Sequence, residues 1–286
     1  MQVAIIGLGL VGGSIGLALK QSSQPECEIV GYVRRPEVAS TALSLGVVDK
    51  VETKLKDVVK EAGTVVIATP VLTVKEILSE IAAHLCSGCV VTDTASTKLD
   101  VMSWAEELLP PTVDFIGGHP MAGKETQGIQ AADARLFQDC IYCLSPAKKA
   151  STQAIDKVAN MVKRLGATPF FIDAQEHDYL VAGISHLPML LSAAMVSATT
   201  KDPSWDKMSK LAASGYRDVT RLASGNPEVN AHICLTNTAA LLHWIDEFGS
   251  ELERYRQLVT TKDKHLEEAL AEASEARKEW LSRTQQ

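Results

Sequence analysis

Within 286 residues, the types best suited to chemistry gather at Gly117-Gly118-His119-Pro120-Met121-Ala122-Gly123. Imidazole is the side chain whose ordinary pKa, about 6.5, lies nearest neutrality, which suits His119 to take a proton from a reacting group. The glycines around it let a ligand approach closely. Just before it, Val113-Asp114-Phe115-Ile116 reads as a short strand, so the histidine is expected where strand gives way to loop, a common edge for a binding cleft. A single loop histidine is more often structural than catalytic, so the role of His119 depends on its company.

That company begins at the first residues. Val3-Ala4-Ile5-Ile6 is a buried-strand run that leads directly into Gly7-Leu8-Gly9-Leu10-Val11-Gly12-Gly13-Ser14 and an apolar helical stretch from Ile15 to Lys20. Gly7 allows the tight turn, Gly9 lets the backbone approach a pyrophosphate, and Gly12 lets helix pack on strand. The amides of Leu10, Val11 and Gly12 would then face the phosphates at a helix N-terminus. A dinucleotide is the expected ligand. The second strand, Cys27 to Val33, ends about twenty residues after the glycines, where an NAD site usually places an acid on the ribose. Here the residue is Val33, followed by Arg34 and Arg35. Guanidinium groups there would hold the extra phosphate of NADP by charge-assisted hydrogen bonds. NADP is therefore the expected cofactor; solvated surface arginines, or NAD bound without its usual acid, are the alternatives.

The elements that would position these residues alternate strand with helix. Thr64-Val65-Val66-Ile67 runs into Ala68-Thr69-Pro70, with Thr69 and Pro70 expected on the cofactor, and then into a helix from about Val74 to His84. Cys89 to Asp93, Asp114 to Ile116, Ile141 to Leu144 and Pro169 to Ile172 supply further strands. This is a doubly wound α/β sheet of the Rossmann type. After His177 strand signals stop and helical patterns run to the end, with breaks near Pro203, Gly215 and Pro227 and a last amphipathic segment from Glu251 to Trp280. Two domains are expected, residues 1–173 and 174–286.

Bulk properties exclude several classes. A net charge of −7 without a basic tract argues against nucleic-acid binding. No signal peptide precedes the first strand, so a cytoplasmic protein is expected. The apolar stretch Tyr179 to Thr200 contains His186 and Pro188 and reads as a buried core helix, not a membrane span. Cys86/Cys89 and Cys140/Cys143 match CxxC. Cys140 and Cys143 fall in an expected strand, where residues three apart point to opposite faces and cannot jointly grip an ion, so no metal site is expected; with no secretion signal, reduced thiols are.

The segments GLGLVGGS, ATP, DTASTK, GGHPMAG, SHLP and SGYRDVTRLASGNPE, in this order across residues 7 to 228, resemble the prephenate and arogenate dehydrogenases of tyrosine biosynthesis. The resemblance implies a Rossmann domain followed by a helical dimerisation domain, hence a homodimer. It also implies oxidative decarboxylation of a cyclohexadienol: hydride leaves ring C4 for the nicotinamide, His119 takes the hydroxyl proton, and loss of CO2 makes the ring aromatic. Ser96 matches the family serine near the reacting hydroxyl, although it could instead cap the following helix. Arg221 matches the position that binds a substrate carboxylate. Arg217, four residues earlier and on the same helical face, is a weaker candidate; for both, ion pairing within the domain is the alternative. His186 matches a family histidine, though a histidine on an apolar helix is more often a satisfied core residue than a catalyst.

Two departures bear on the substrate. Many prephenate-using relatives carry a second histidine directly after SHLP, where this chain has Met189. Glu228 would favour the ammonium of arogenate over the ketone of prephenate, unless it merely begins a helix at Pro227. Arogenate, giving tyrosine, is thus the expected substrate, and prephenate, giving 4-hydroxyphenylpyruvate, the alternative. A beta-hydroxyacid dehydrogenase would share the architecture but use a catalytic lysine, and a non-catalytic nucleotide sensor would keep only the glycine loop.

Overall fold

Burial on both faces of the strands decides the architecture. The computed structural model describes residues 2–22, 27–34, 36–124 and 126–284, so Arg35, expected at the cofactor, lies outside the described residues. Among these, β1 (Gln2–Ile6), β2 (Glu28–Tyr32), β3 (Lys50–Glu52), β4 (Thr64–Ile67), β5 (Val90–Asp93), β6 (Asp114–Pro120), β7 (Ile141–Pro146) and β8 (Thr168–Phe171) form one sheet in the order β3-β2-β1-β4-β5-β6-β7-β8. The first six are parallel, in the doubly wound order that reverses between β1 and β4.

Successive strand residues point to opposite faces. Val3, Ile5, Val66, Val90 and Ile116 pack with Ile15 and Leu19 of α1 (Leu10–Gln21). Val158 and Val162 of α6 (Thr152–Arg164) join that layer. Their neighbours Ala4, Ile6, Val65, Ile67, Val91 and Phe115 pack on the other face. There they meet Val58 of α3 (Leu55–Val59), Val74 and Leu78 of α4 (Val71–Ile81) and Val101 of α5 (Leu99–Leu108). Each fully buried aliphatic side chain contributes about 1.5–3 kcal/mol, so the two layers hold the central strands, β1, β4, β5 and β6, in register. The helix α2 (Pro36–Ser44) connects β2 to β3.

From Ala174 the chain is helical: α7 (Ala174–Val181), a π turn (Ala182–His186), α8 (Leu187–Thr200), α9 (Trp205–Leu211) and α10 (Ser214–Thr220). A 3₁₀ turn (Arg221–Ser224), α11 (Pro227–Thr236), α12 (Thr238–Thr261) and α13 (His265–Thr284) complete it. Packing groups the residues through Thr238 into one compact unit and those from Ala239 onward into a second.

Several expectations need correction. β6 continues through Gly117 and Gly118, so His119 lies inside a strand, because β7 pairs antiparallel with β6 and His119 sits opposite Cys143. Lys98, not Ser96, occupies the N-cap of α5, and Ser96 makes no cap. The C-terminal segment is two helices, since Lys262 adopts a left-handed φ of 52° and Asp263 accepts from the His265 amide at 3.0 Å. The break expected near Gly215 falls just before it, between the end of α9 at Leu211 and the start of α10 at Ser214. The apolar stretch around α8 is long and apolar enough to cross a membrane by length and composition, but only 28% of it is buried within the chain. α8 itself buries just Leu187 and Ser192, so it is not the enclosed core helix its composition suggested.

Candidate active site at the carboxyl ends of the strands

The loop from β1 to α1 has the shape its glycines imply. Gly7 has φ of 101°, and a Cβ there would lie 2.5 Å from the Ala68 carbonyl oxygen. At Gly12 a Cβ would meet the Gly7 oxygen at 2.0 Å, whereas around Gly9 nothing lies within 4 Å. Two glycines are thus required by packing and the third leaves open approach. Gly9 is the N-cap of α1, no side chain caps the helix, and its first turn carries no acid. The amides of Leu10, Val11 and Gly12 have no partners within the helix, so this terminus suits an anion such as a pyrophosphate. Beside it, Thr69 Oγ1 accepts from Thr73 Oγ1 at 2.9 Å and Pro70 caps α4. Val33 is buried after β2, and Arg34 next to it is exposed.

Further along the same sheet edge, β6 delivers His119 into a buried polar cluster. His119 Nδ1 lies 2.9 Å from Nε2 of His177 on α7, the rings meeting edge to face at 5.1 Å. His177 Nδ1 is 2.8 Å from Asp178 Oδ1. The Asp178 carboxylate also accepts the backbone amides of Lys98 at 2.7 Å and Leu99 at 2.8 Å. Lys98 is wholly buried, its ammonium bonding Asp93 and donating to the Gly118 oxygen at 2.7 Å. Asp93 in turn accepts from the amides of Gly118 at 3.0 Å and Ala95 at 2.8 Å.

Electrostatics follow from burial. The imidazole of His119 is held well below its ordinary range, first by desolvation and then by His177, Lys98 and His186. It is neutral at physiological pH and able to accept a proton. Burial pushes His186 down to about 4 against the pull of Asp178. Burial also lowers Lys98, while Asp93 opposes it.

Comparison with known proteins decides what this arrangement is part of. Residues 15–170 match the family model for the nucleotide-binding domain of prephenate dehydrogenase, and residues 173–273 match that for its dimerization domain. The chain is 37% identical over 263 residues to the prephenate dehydrogenase of Bacillus subtilis (strain 168), covering 91% of this chain and 71% of that protein. This chain belongs to the prephenate dehydrogenase family. Among solved structures, prephenate dehydrogenase from A. aeolicus in complex with hydroxyphenyl propionate and NAD+ superposes with a TM-score of 0.91 at 29% identity, covering 98% of each chain. Synechocystis arogenate dehydrogenase superposes with a TM-score of 0.83 at 28% identity, covering 98% of this chain and 100% of that one. The protein is therefore an oxidoreductase of this family with a Rossmann dinucleotide-binding domain followed by the helical dimerisation domain.

The family's expected residues do not all converge in the same way. Ser96 lies half-buried in the bend between β5 and α5. Its neighbour Thr97 bonds Thr236 of α11 at 2.8 Å, so this helix is docked beside it. His186 is buried, with Nδ1 3.2 Å from Asn237 Nδ2, while its Nε2 has no partner among the described residues. Arg217 and Arg221 are both exposed, and the helix between them tightens: α10 ends at Thr220 and Arg221 opens the 3₁₀ turn. Ser192 of α8 pins this segment, donating to the Val219 oxygen at 2.9 Å and accepting from the Ala223 amide at 3.1 Å. Glu228 is exposed in the first turn of α11, its amide held by the Asn226 side chain at 2.8 Å.

Sequence reasoning missed Lys98, His177, Asp178 and Asn237. The adjacent His177-Asp178 pair, four residues past the Asp173 N-cap of α7, was the available signal.

Proposed function

We propose that this chain catalyses the oxidative decarboxylation of prephenate to 4-hydroxyphenylpyruvate, with His119 as the general base. The observation that carries this reading is a neutral, buried histidine at the end of β6, on the same sheet edge as a glycine loop fitted to a dinucleotide. When bound, the nicotinamide would accept hydride from ring C4. His119 takes the hydroxyl proton as that carbon becomes a carbonyl, and loss of the ring carboxylate as CO2 then drives aromatisation. The protein's remaining task is alignment and charge placement. Ser96 would hydrogen-bond near the reacting hydroxyl. Arg221, with Arg217 flanking, would hold a carboxylate, and His186 would offer its buried Nε2–H. The cofactor would lie along Gly7, Gly9, Leu10, Val11, Gly12, Thr69 and Pro70, and Arg34, with Arg35 following it in sequence, favours NADP over NAD. The likeness to crystallised dehydrogenases supports a soluble cytoplasmic enzyme acting as a homodimer.

Arogenate is the second reading. It rests on Met189 and Glu228, but the place of Glu228 in the exposed first turn of α11 already supplies a reason for an acid there, through the helix dipole. Steady-state kinetics with both substrates separate the readings. A higher kcat/KM for prephenate, unchanged in ratio by Glu228→Gln, is the expected result. A preference for arogenate that collapses in Glu228→Gln instead establishes the second.

A further inference from the structure

Asp178 is fixed as an acceptor. Its carboxylate already takes two backbone amides, from Lys98 and Leu99, and an ionised carboxylate has no proton to give. His177 must therefore donate from Nδ1, which leaves Nε2 of the neutral ring with a lone pair pointing at His119 Nδ1, 2.9 Å away. Only His119 can fill that bond, by carrying its own proton on Nδ1. A doubly protonated His177 would reverse the bond, but it would set a second cation in a wholly buried pocket beside Lys98.

We propose that His177 and Asp178 form a positioning relay that keeps the proton of resting His119 on Nδ1 and presents a bare Nε2 to the substrate hydroxyl. The inference rests on the reading of His119 as the base. It adds the reason that base has the right tautomer. On reaction the hydroxyl proton moves to His119 Nε2 and the C4 hydride, with its electron pair, leaves for the cofactor; the electrons of the C–COO⁻ bond then enter the ring as CO2 departs, and the phenolate so formed takes the proton back from His119. The imidazolium so formed keeps Nδ1–H donating to Nε2 of His177, whose own proton stays on Nδ1 and donates to the Asp178 carboxylate, so the developing charge is met by an anion two hydrogen bonds away. The charged and titratable groups around His119 are Lys98 and Asp93 from the β5–α5 segment, Cys143 opposite it on β7, His177 and Asp178 from α7, and His186 from the π turn.

Nitrogen-15 spectra of histidine-labelled, unliganded protein at neutral pH read the tautomer directly, with His119→Asn assigning the signals. The expected pattern for His119 is a protonated Nδ1 and an unprotonated Nε2; a proton on Nε2 overturns the relay. This measurement stands even if the enzyme turns over neither prephenate nor arogenate, a result that would sink the functional reading alone. In kinetics, Asp178→Asn is expected to lower kcat by about 10²-fold or more while KM changes little. Its acid limb should move to lower pH, because removing the carboxylate makes the imidazolium less favourable. His177→Gln, whose amide oxygen can still accept from Nδ1–H, should retain clearly more activity than His177→Leu at matched thermal stability. Equal kcat in folded Gln and Leu variants, with an unmoved acid limb in Asp178→Asn, would reduce these residues to structural supports.

Discussion

At the scale of single residues, the site keeps its charges buried but paired, and His119, the proposed base, buried but neutral. Lys98 and Asp93 lock the end of β5 to Gly118 of β6, and Lys98 adds a positive field that helps hold His119 unprotonated. Cofactor choice also belongs here. Val33 leaves no acid to repel a ribose phosphate, and Arg34 is exposed at the carboxyl end of β2. A charged hydrogen bond is worth about 1.5–3 kcal/mol, so Arg34→Ala should weaken NADP binding by roughly tenfold to a hundredfold while NAD binding stays the same. Isothermal titration of both cofactors against both proteins checks this; equal affinity for the two cofactors in the unaltered protein would remove the assignment. His119 and the glycines were legible in the sequence because their types are rare and their spacing is fixed by chemistry. Lys98 and Asp178 were not, since a charged residue announces exposure unless its partners, 5 and 80 residues away in the bonds to Asp93 and to the Lys98 amide, are known.

At the scale of elements, the two tight glycines and the open one should separate in experiment. Gly12→Ala puts a methyl 2.0 Å from a backbone oxygen of the turn, so helix and loop must part, at a cost of about 1–3 kcal/mol. Thermal stability and cofactor affinity should both fall. Gly9→Ala meets no atom within 4 Å, so stability should hold while cofactor affinity drops, because the methyl fills the space through which the pyrophosphate approaches. A Gly9→Ala protein that binds cofactor normally would mean the loop does not carry the phosphates. The strands of the parallel sheet were readable from continuous apolar runs such as Thr64–Ile67. The edge strand Lys50–Glu52 was not, being three residues with no buried face. The extension of β6 was hidden because Gly117 and Gly118 have no side chains to show a period. Its pairing with an antiparallel β7 is a non-local fact.

At the scale of the whole molecule, the helical region leaves apolar side chains uncovered. Ile184 and Leu235 are 73% and 67% exposed, and Leu211 is 83% exposed. Surface of this kind on a monomer marks an interface, and residues 173–273 match a dimerization domain. The protein is expected to be a dimer at micromolar concentration, with Ile184→Asp shifting it toward monomer; light scattering that reports a monomer for the unaltered chain would contradict this. The same exposure explains why composition misled on α8, since apolar character says that a face is covered but not by what.

The proposed role of His119, as the base of a dinucleotide-dependent oxidative decarboxylation, is open to direct test. The most direct measurement is single-turnover production of reduced nicotinamide, CO2 and aromatic product by the unaltered protein and by His119→Asn, each with saturating prephenate and NADP. One-to-one-to-one stoichiometry is expected in the first. In the variant a rate lower by roughly 10²–10⁴-fold is expected, with both ligands still bound. Near-parental turnover by His119→Asn at neutral pH, or reduced cofactor without CO2, would contradict it.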